Sequence, residues 1–260
     1  MKKIIYTAHL TFFTLVAFAQ VEKIETDLPG KTNTPTTVPK KWVQLETGFL
    51  RQVEKHYPSL KDYYIQHPSL LTKYGLGKYI ELRFITELAS IKEENVNGNV
   101  TYFGINSFQV GGKINFLKQK GIRPKASLIA HYSFNGLRTI IKGKDSINGA
   151  NFRFALQHYF SENILLAYNI GMQWKRFGAT PAYIYTLSPR FNLTEKWFAF
   201  VEVSGFIWKN QSPEHSIDFG AAYNISNNFK IDASAGFGLN KKAPDNFYSI
   251  GASFRFKTGK

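Results

Sequence analysis

ANFRFALQHYFSENILLAYNIGMQW, residues 150–174, decides the fold. In its first half Phe152, Phe154, Leu156, His158 and Phe160 share one face, and Asn151, Arg153, Ala155, Gln157 and Tyr159 the other. Ser161-Glu162-Asn163 reverses the chain. Then Ile164, Leu166, Tyr168, Ile170, Met172 and Trp174 alternate with Leu165, Ala167, Asn169, Gly171 and Gln173. A period of two marks an extended strand, because successive side chains point to opposite sides. Two such runs about a polar link form a β-hairpin. Each arm is about ten residues long, the length a tilted strand needs to cross hydrocarbon.

Working outward, the same pattern recurs from Trp42 to Phe256 and predicts twelve strands. They fall at 42–51, 69–74, 79–90, 107–117, 123–134, 150–160, 164–174, 183–191, 197–208, 216–225, 229–239 and 247–256. Short reversals at 75–78, 118–122, 161–163, 192–196 and 226–228 alternate with longer links at 52–68, 91–106, 135–149, 175–182, 209–215 and 240–246. Outer-membrane barrels sort their connections this way, with short periplasmic turns and longer external loops. The expected fold is all-β: one closed antiparallel transmembrane barrel spanning 41–257, with a tail at 258–260.

Composition agrees. Of 260 residues 23 are Phe and 14 Tyr, and there is no Cys, which removes disulfides and thiolate metal sites. Beyond the N-terminus no apolar run is long enough for a membrane helix, whereas alternating strands leave mean hydropathy low. The net charge of +15 reads as solubility and attraction to anionic lipid. Nucleic acid is not an expected partner, since neither a basic helix nor an RNA-binding motif is present.

Residues 1–19 read as a secretory signal peptide: Lys2-Lys3, an apolar stretch from Ile4, then Ala17-Phe18-Ala19. Residues 20–40, rich in Thr, Pro and Lys, show no periodicity and read as a flexible periplasmic leader rather than a plug.

Alternation alone does not say which face is outside. The polar faces are small and mixed, as in Lys230, Asp232, Ser234, Gly236 and Gly238. Aromatics gather near strand ends as interfacial girdles do, at Trp42, Tyr132, Phe134, Phe160, Trp174, Trp197 and Tyr223. The apolar stripes are therefore assigned to lipid and the polar stripes to the lumen. Lumen and constriction candidates follow: Glu46, Glu81, Arg83, Glu87, Lys113, His131, Arg153, Glu202, Asp218, Lys230, Asp232 and Arg255. They would either select solutes or form a salt-bridged filling. His131-Tyr132-Ser133 invites a hydrolase reading, but both polar residues carry lumen parity and no orienting group is evident. The six His show no metal-ligand spacing, so no metal or cofactor is expected.

Several segments are similar to one family: VQLETGF (43–49), LLTKYGLGKYIELRF (70–84), NFRFAL (151–156), FAFVEVSGF (198–206), IDFGAAY (217–223), KIDASAGFGL (230–239) and GASFRF (251–256). In order and spacing they resemble an outer-membrane transporter family named for the meta-pathway of phenol degradation. The link after Phe134 lacks the Pro-containing segment expected there, and Lys257–Lys260 follow the last aromatic. The resemblance implies a bacterial outer-membrane location and passive passage of small, hydrophobic or aromatic solutes. It also implies outer-membrane lipids and the barrel-insertion machinery as partners. The alternatives are a closed barrel with a structural or surface-binding role, and a membrane-embedded lipid hydrolase. Oligomeric state is left open.

Overall fold

The computed structural model describes residues 22–57, 60–95, 98–140 and 147–259; the signal peptide expected at 1–19 lies outside them. Twelve strands close into one antiparallel barrel, each paired with its sequence neighbours and the last with the first. They are β1 (Trp42–Tyr57), β2 (Leu60–Gly75), β3 (Ile80–Asn95), β4 (Gly98–Leu117), β5 (Lys125–Ser133) and β6 (Gly149–Tyr159). The set continues with β7 (Ile164–Trp174), β8 (Ala182–Asn192), β9 (Trp197–Trp208), β10 (Glu214–Ser226), β11 (Phe229–Gly238) and β12 (Asn246–Lys257). Closure leaves no unpaired sheet edge, which is what a sheet surrounded by hydrocarbon requires.

The strand number is as expected, but two long links are not loops. Residues 52–57 and 60–68 continue β1 and β2, and 91–95 and 98–106 continue β3 and β4, as paired strands. Beyond the hydrocarbon both faces of a strand meet water, so side-chain alternation fades while backbone pairing persists. A rule based on period two ends the strand at the membrane surface. Register shifts sit at Gly48/Leu50, Gln66/Leu70 and Glu87/Leu88, near where these extensions begin. Bulges of this kind bend and twist a strand pair.

Burial is inverted relative to a soluble protein. The largest fully buried side chains include Arg83, Lys73, Lys113, Lys230, Glu46, Glu81 and Glu202. Phe84, Phe154, Ile170, Val201, Phe219, Ile231, Ile250 and Phe254 are exposed on the outer surface. The charged stripes therefore line the axis and the apolar stripes face outward.

The leader is the principal departure from the sequence reading. Residues 22–40, expected as a flexible periplasmic extension, run inside the barrel, with Ile24, Asp27, Thr34 and Val38 buried. Their irregular backbone makes no strand pairing with the wall. Instead lumen side chains accept its N–H groups, which explains why an aperiodic, polar sequence is ordered there.

Candidate functional site

Six backbone N–H groups of the luminal segment are held by wall side chains. Asp27 and Leu28 donate to Glu46 Oε2 at 2.9 and 3.2 Å, Lys31 and Thr32 to the two carboxylate oxygens of Glu202 at 2.7 Å each. Asn33 donates to Asn169 Oδ1 at 2.7 Å and Val38 to Glu81 Oε2 at 2.8 Å. In return, Asn169 Nδ2 donates to the Asn33 carbonyl and Lys113 Nζ to the Thr36 carbonyl. The residues supplying these contacts lie on β1, β3, β4, β7 and β9, so the segment is gripped around most of the circumference.

At the centre is Asp27. Its Oδ2 lies 2.6 Å from Lys73 Nζ and 2.8 Å from Arg83 Nη1, and its Oδ1 3.6 Å from Lys113 Nζ. Lys73 also pairs with Glu46, and Glu81 with both Arg83 (2.9 Å) and Lys113 (3.8 Å). Three cations thus meet three carboxylates, and one carboxylate belongs to the segment rather than to the wall. Burial opposes ionisation of Asp27, but Lys113, Lys73 and Arg83 outweigh it and hold its carboxyl well below the usual range. The Thr34 N–H adds a hydrogen bond to Oδ1 at 2.8 Å.

Among the expected lumen residues, Glu46, Glu81, Arg83 and Lys113 converge on this centre. His131 joins it by accepting from Arg83 Nε at 3.0 Å, while its Nδ1 faces Asn151 Oδ1 at 3.1 Å. The acceptor nitrogen of His131 is therefore engaged by Arg83, whereas a general base needs that nitrogen for its nucleophile. Arg153 and Glu202 grip the segment from two sides, through the Lys31 carbonyl (3.2 Å) and N–H. Asp218 sits opposite Glu202 in register. Glu87 faces Tyr64 and Asn106, Asp232 lies 3.8 Å from Lys230, and Arg255 holds Asn228 and the Glu22 carbonyl.

The aromatics divide. Tyr132, Phe134 and Trp174 lie at one end of the barrel and Phe160, Trp197 and Tyr223 at the other; Tyr132–Phe134 and Trp197–Tyr223 each pack at 4.8 Å. Trp42 does not belong to a girdle. It shares the inward parity of Gln44 and Glu46, with Arg255 over its ring at 5.5 Å, so it stands at the lumen mouth. A Trp at a strand end is common to both settings, and only its parity separates them.

The sequence reading also missed Asp27, Lys73 and Asn169. Lys73 carries the parity of Leu71 on a strand with little alternation, and Asp27 lies where no period exists.

The segment leaves the lumen past Gly75. A Cβ there would fall within contact of the Val38 and Pro39 carbonyl oxygens, and Lys41 N–H donates to the Gly75 carbonyl at 2.9 Å. Gly75→Val is therefore expected to push residues 38–39 off the wall and break the Val38–Glu81 hydrogen bond. Single-channel recording would show conductance between that of the wild type and that of a barrel lacking the segment. A Gly75→Val barrel as quiet as wild type would refute this close approach as a determinant of seating.

The family model described as "Putative MetA-pathway of phenol degradation" matches residues 26–256, taking in most of the luminal segment together with the barrel. The chain belongs to this family. No curated protein matches it in sequence. Among solved structures, this member of the phenol-degradation family is similar to an outer membrane channel from Pseudomonas putida F1. That match has a TM-score of 0.68 and 10% identity, over 88% of this chain and 99% of the other. The KdgM porin (TM-score 0.52, 11% identity, 82% and 99% covered) and the NanC porin (0.51, 8%, 82% and 98%) share the architecture. At these identities the likeness concerns the fold. The closed barrel with its inverted burial places the protein in the bacterial outer membrane.

Proposed function

We propose that this barrel is a passive outer-membrane channel for small hydrophobic or aromatic solutes, held shut by residues 22–40. The observation that carries the reading is that the lumen houses a second stretch of polypeptide. A conduit wide enough for an irregular peptide is wide enough for a small solute once that peptide moves. The segment is seated by side-chain contacts and not by strand pairing, so it can leave without unmaking the wall. The family's description refers to phenol degradation, and its neighbour from P. putida is described as a channel. Passage needs no chemical step; lipid of the outer membrane and the barrel-insertion machinery are its other requirements.

Deleting residues 22–37 is expected to turn a quiet barrel into a conducting one in planar bilayers. The strands all begin at or after Trp42, so the wall should still assemble, as heat-dependent gel migration would report. A folded deletion variant that stays silent would overturn transport in favour of a closed structural barrel.

A further inference from the structure

On the outer side of the luminal segment lies a cavity of about 470 Å³, within the roughly 300–1,000 Å³ typical of small-molecule sites. We infer that this cavity binds a small aromatic carboxylate, its carboxylate on Arg153 and its ring against Ile184 and Phe206. The inference rests on the channel reading for its biological meaning and names the solute class of that lumen.

The strand register supplies the geometry. Arg153 on β6, Gly171 on β7, Ile184 on β8 and Phe206 on β9 are successive partners in one row across the wall. All four face the lumen, so a cation and two apolar side chains flank a position that has no side chain. A Cβ at Gly171 would run into the Phe152 carbonyl oxygen and would also meet Arg153 Cγ at 3.0 Å. Glycine there permits the close approach of β6 and leaves no side chain beside the Arg153 stem. A flat molecule with one charged edge matches this arrangement.

The charge accounting selects an anion. Arg153 lines the cavity, and among the described residues its guanidinium forms no ion pair; its one hydrogen bond goes to the Lys31 carbonyl. A guanidinium carries five N–H donors in a planar fork suited to a carboxylate. The two carboxylates that line the same cavity are already engaged. Asp27 is shared among Lys73, Arg83 and Lys113, and Glu87 takes Tyr64 and Asn106. Glu202, the carboxylate across the segment, accepts from the Lys31 and Thr32 N–H groups. The remaining cation at the cavity floor, Lys31, lies over the Phe247 ring at 4.6 Å. Arg153 is thus the cavity cation that makes no ion pair, although the Glu202 charge acts on it and Asp218 and Glu202 act on Lys31; the central cluster beneath is balanced, three cations against three carboxylates.

The test is calorimetric titration of the full barrel in detergent with sodium benzoate, and with benzamide as a neutral probe of the same shape. Benzoate should bind about tenfold to a hundredfold more tightly than benzamide, the worth of a charge-assisted hydrogen-bonded pair. Arg153→Gln should remove that preference, bringing the benzoate affinity down to that of benzamide on the same variant. Phe206→Ala should weaken both probes and keep the preference, and acetate should bind more weakly than benzoate. The comparison of the two probes on the wild type needs no variant, so it stands even if Arg153→Gln does not fold. Equal binding of benzoate and benzamide, absence of benzoate binding, or a benzoate preference that survives Arg153→Gln would each overturn the site. Benzoate binding to a barrel that stays silent after deletion of residues 22–37 would overturn the channel reading and leave the site. Conduction without a benzoate preference would overturn the site alone.

Discussion

Asp27→Asn is expected to unseat the luminal segment and raise conductance almost as far as deleting it. The substitution leaves the size of the side chain nearly unchanged and removes one negative charge. Lys73, Arg83 and Lys113 would then face only Glu46 and Glu81, with one buried cation uncompensated. Breaking one partner out of a buried ionic cluster costs about 3–5 kcal/mol. Because Asp27 is the segment's contribution to a cluster otherwise built into the wall, that cost falls on the seated state. The seated-to-released ratio should drop by about two to four orders of magnitude. Conductance in planar bilayers and protease access to residues 22–40 would both report it, and a variant as quiet and as protected as wild type would refute the role of Asp27.

Acidification should not mimic the substitution over the ordinary range. The Asp27 carboxyl is held well below its usual 3.8 when seated, because the three cations outweigh the opposing effect of burial. A depressed folded value means that the stabilisation is fully present above 3.8 and is lost only as pH falls through the lower, seated value. Between about pH 7 and pH 4, Asp27 is therefore expected to stay ionised and to keep its hold on the segment, so protection of residues 22–40 from protease should persist through its contacts.

How much of this could be read from the chain depends on which residues a period constrains. Residues 150–174 alternate because one face meets lipid and the other the lumen, and that contrast carried the strand number and the inward position of Glu81, Arg83 and Lys113. At 60–68 and 98–106 the contrast is gone, so the strands continue unseen. The central cluster joins Asp27 to Lys73, Arg83 and Lys113, residues 46 to 86 positions away that only barrel closure brings together. Parity told that Glu46 points inward, but no local pattern told that a Thr- and Pro-rich leader would supply what it binds. Trp42 shows the converse: its parity with Gln44 and Glu46 points inward, while a Trp at a strand end also fits a girdle, and only the parity agrees with its place beside Arg255.

Phe154→Arg tests the orientation of the wall itself. Phe154 lies midway along β6, exposed on the outer face, with Leu128 and Ile170 as its register partners and Phe116 and Phe152 rings 6.4 Å away. In water, replacing an exposed Phe by Arg on a paired strand would change stability by about 0.5 kcal/mol or less. In hydrocarbon the guanidinium must be desolvated or drag water inward, which costs about 2–4 kcal/mol near the bilayer midplane and less toward either interface. Phe154→Leu keeps the apolar surface and serves as the reference. Denaturant unfolding of the barrel in phospholipid vesicles should show the large penalty for Arg, and the same pair compared in a small-micelle detergent should show less. A penalty near zero in vesicles would mean that this face meets water, and the outward assignment of Ile170, Val201 and Phe219 would fall with it.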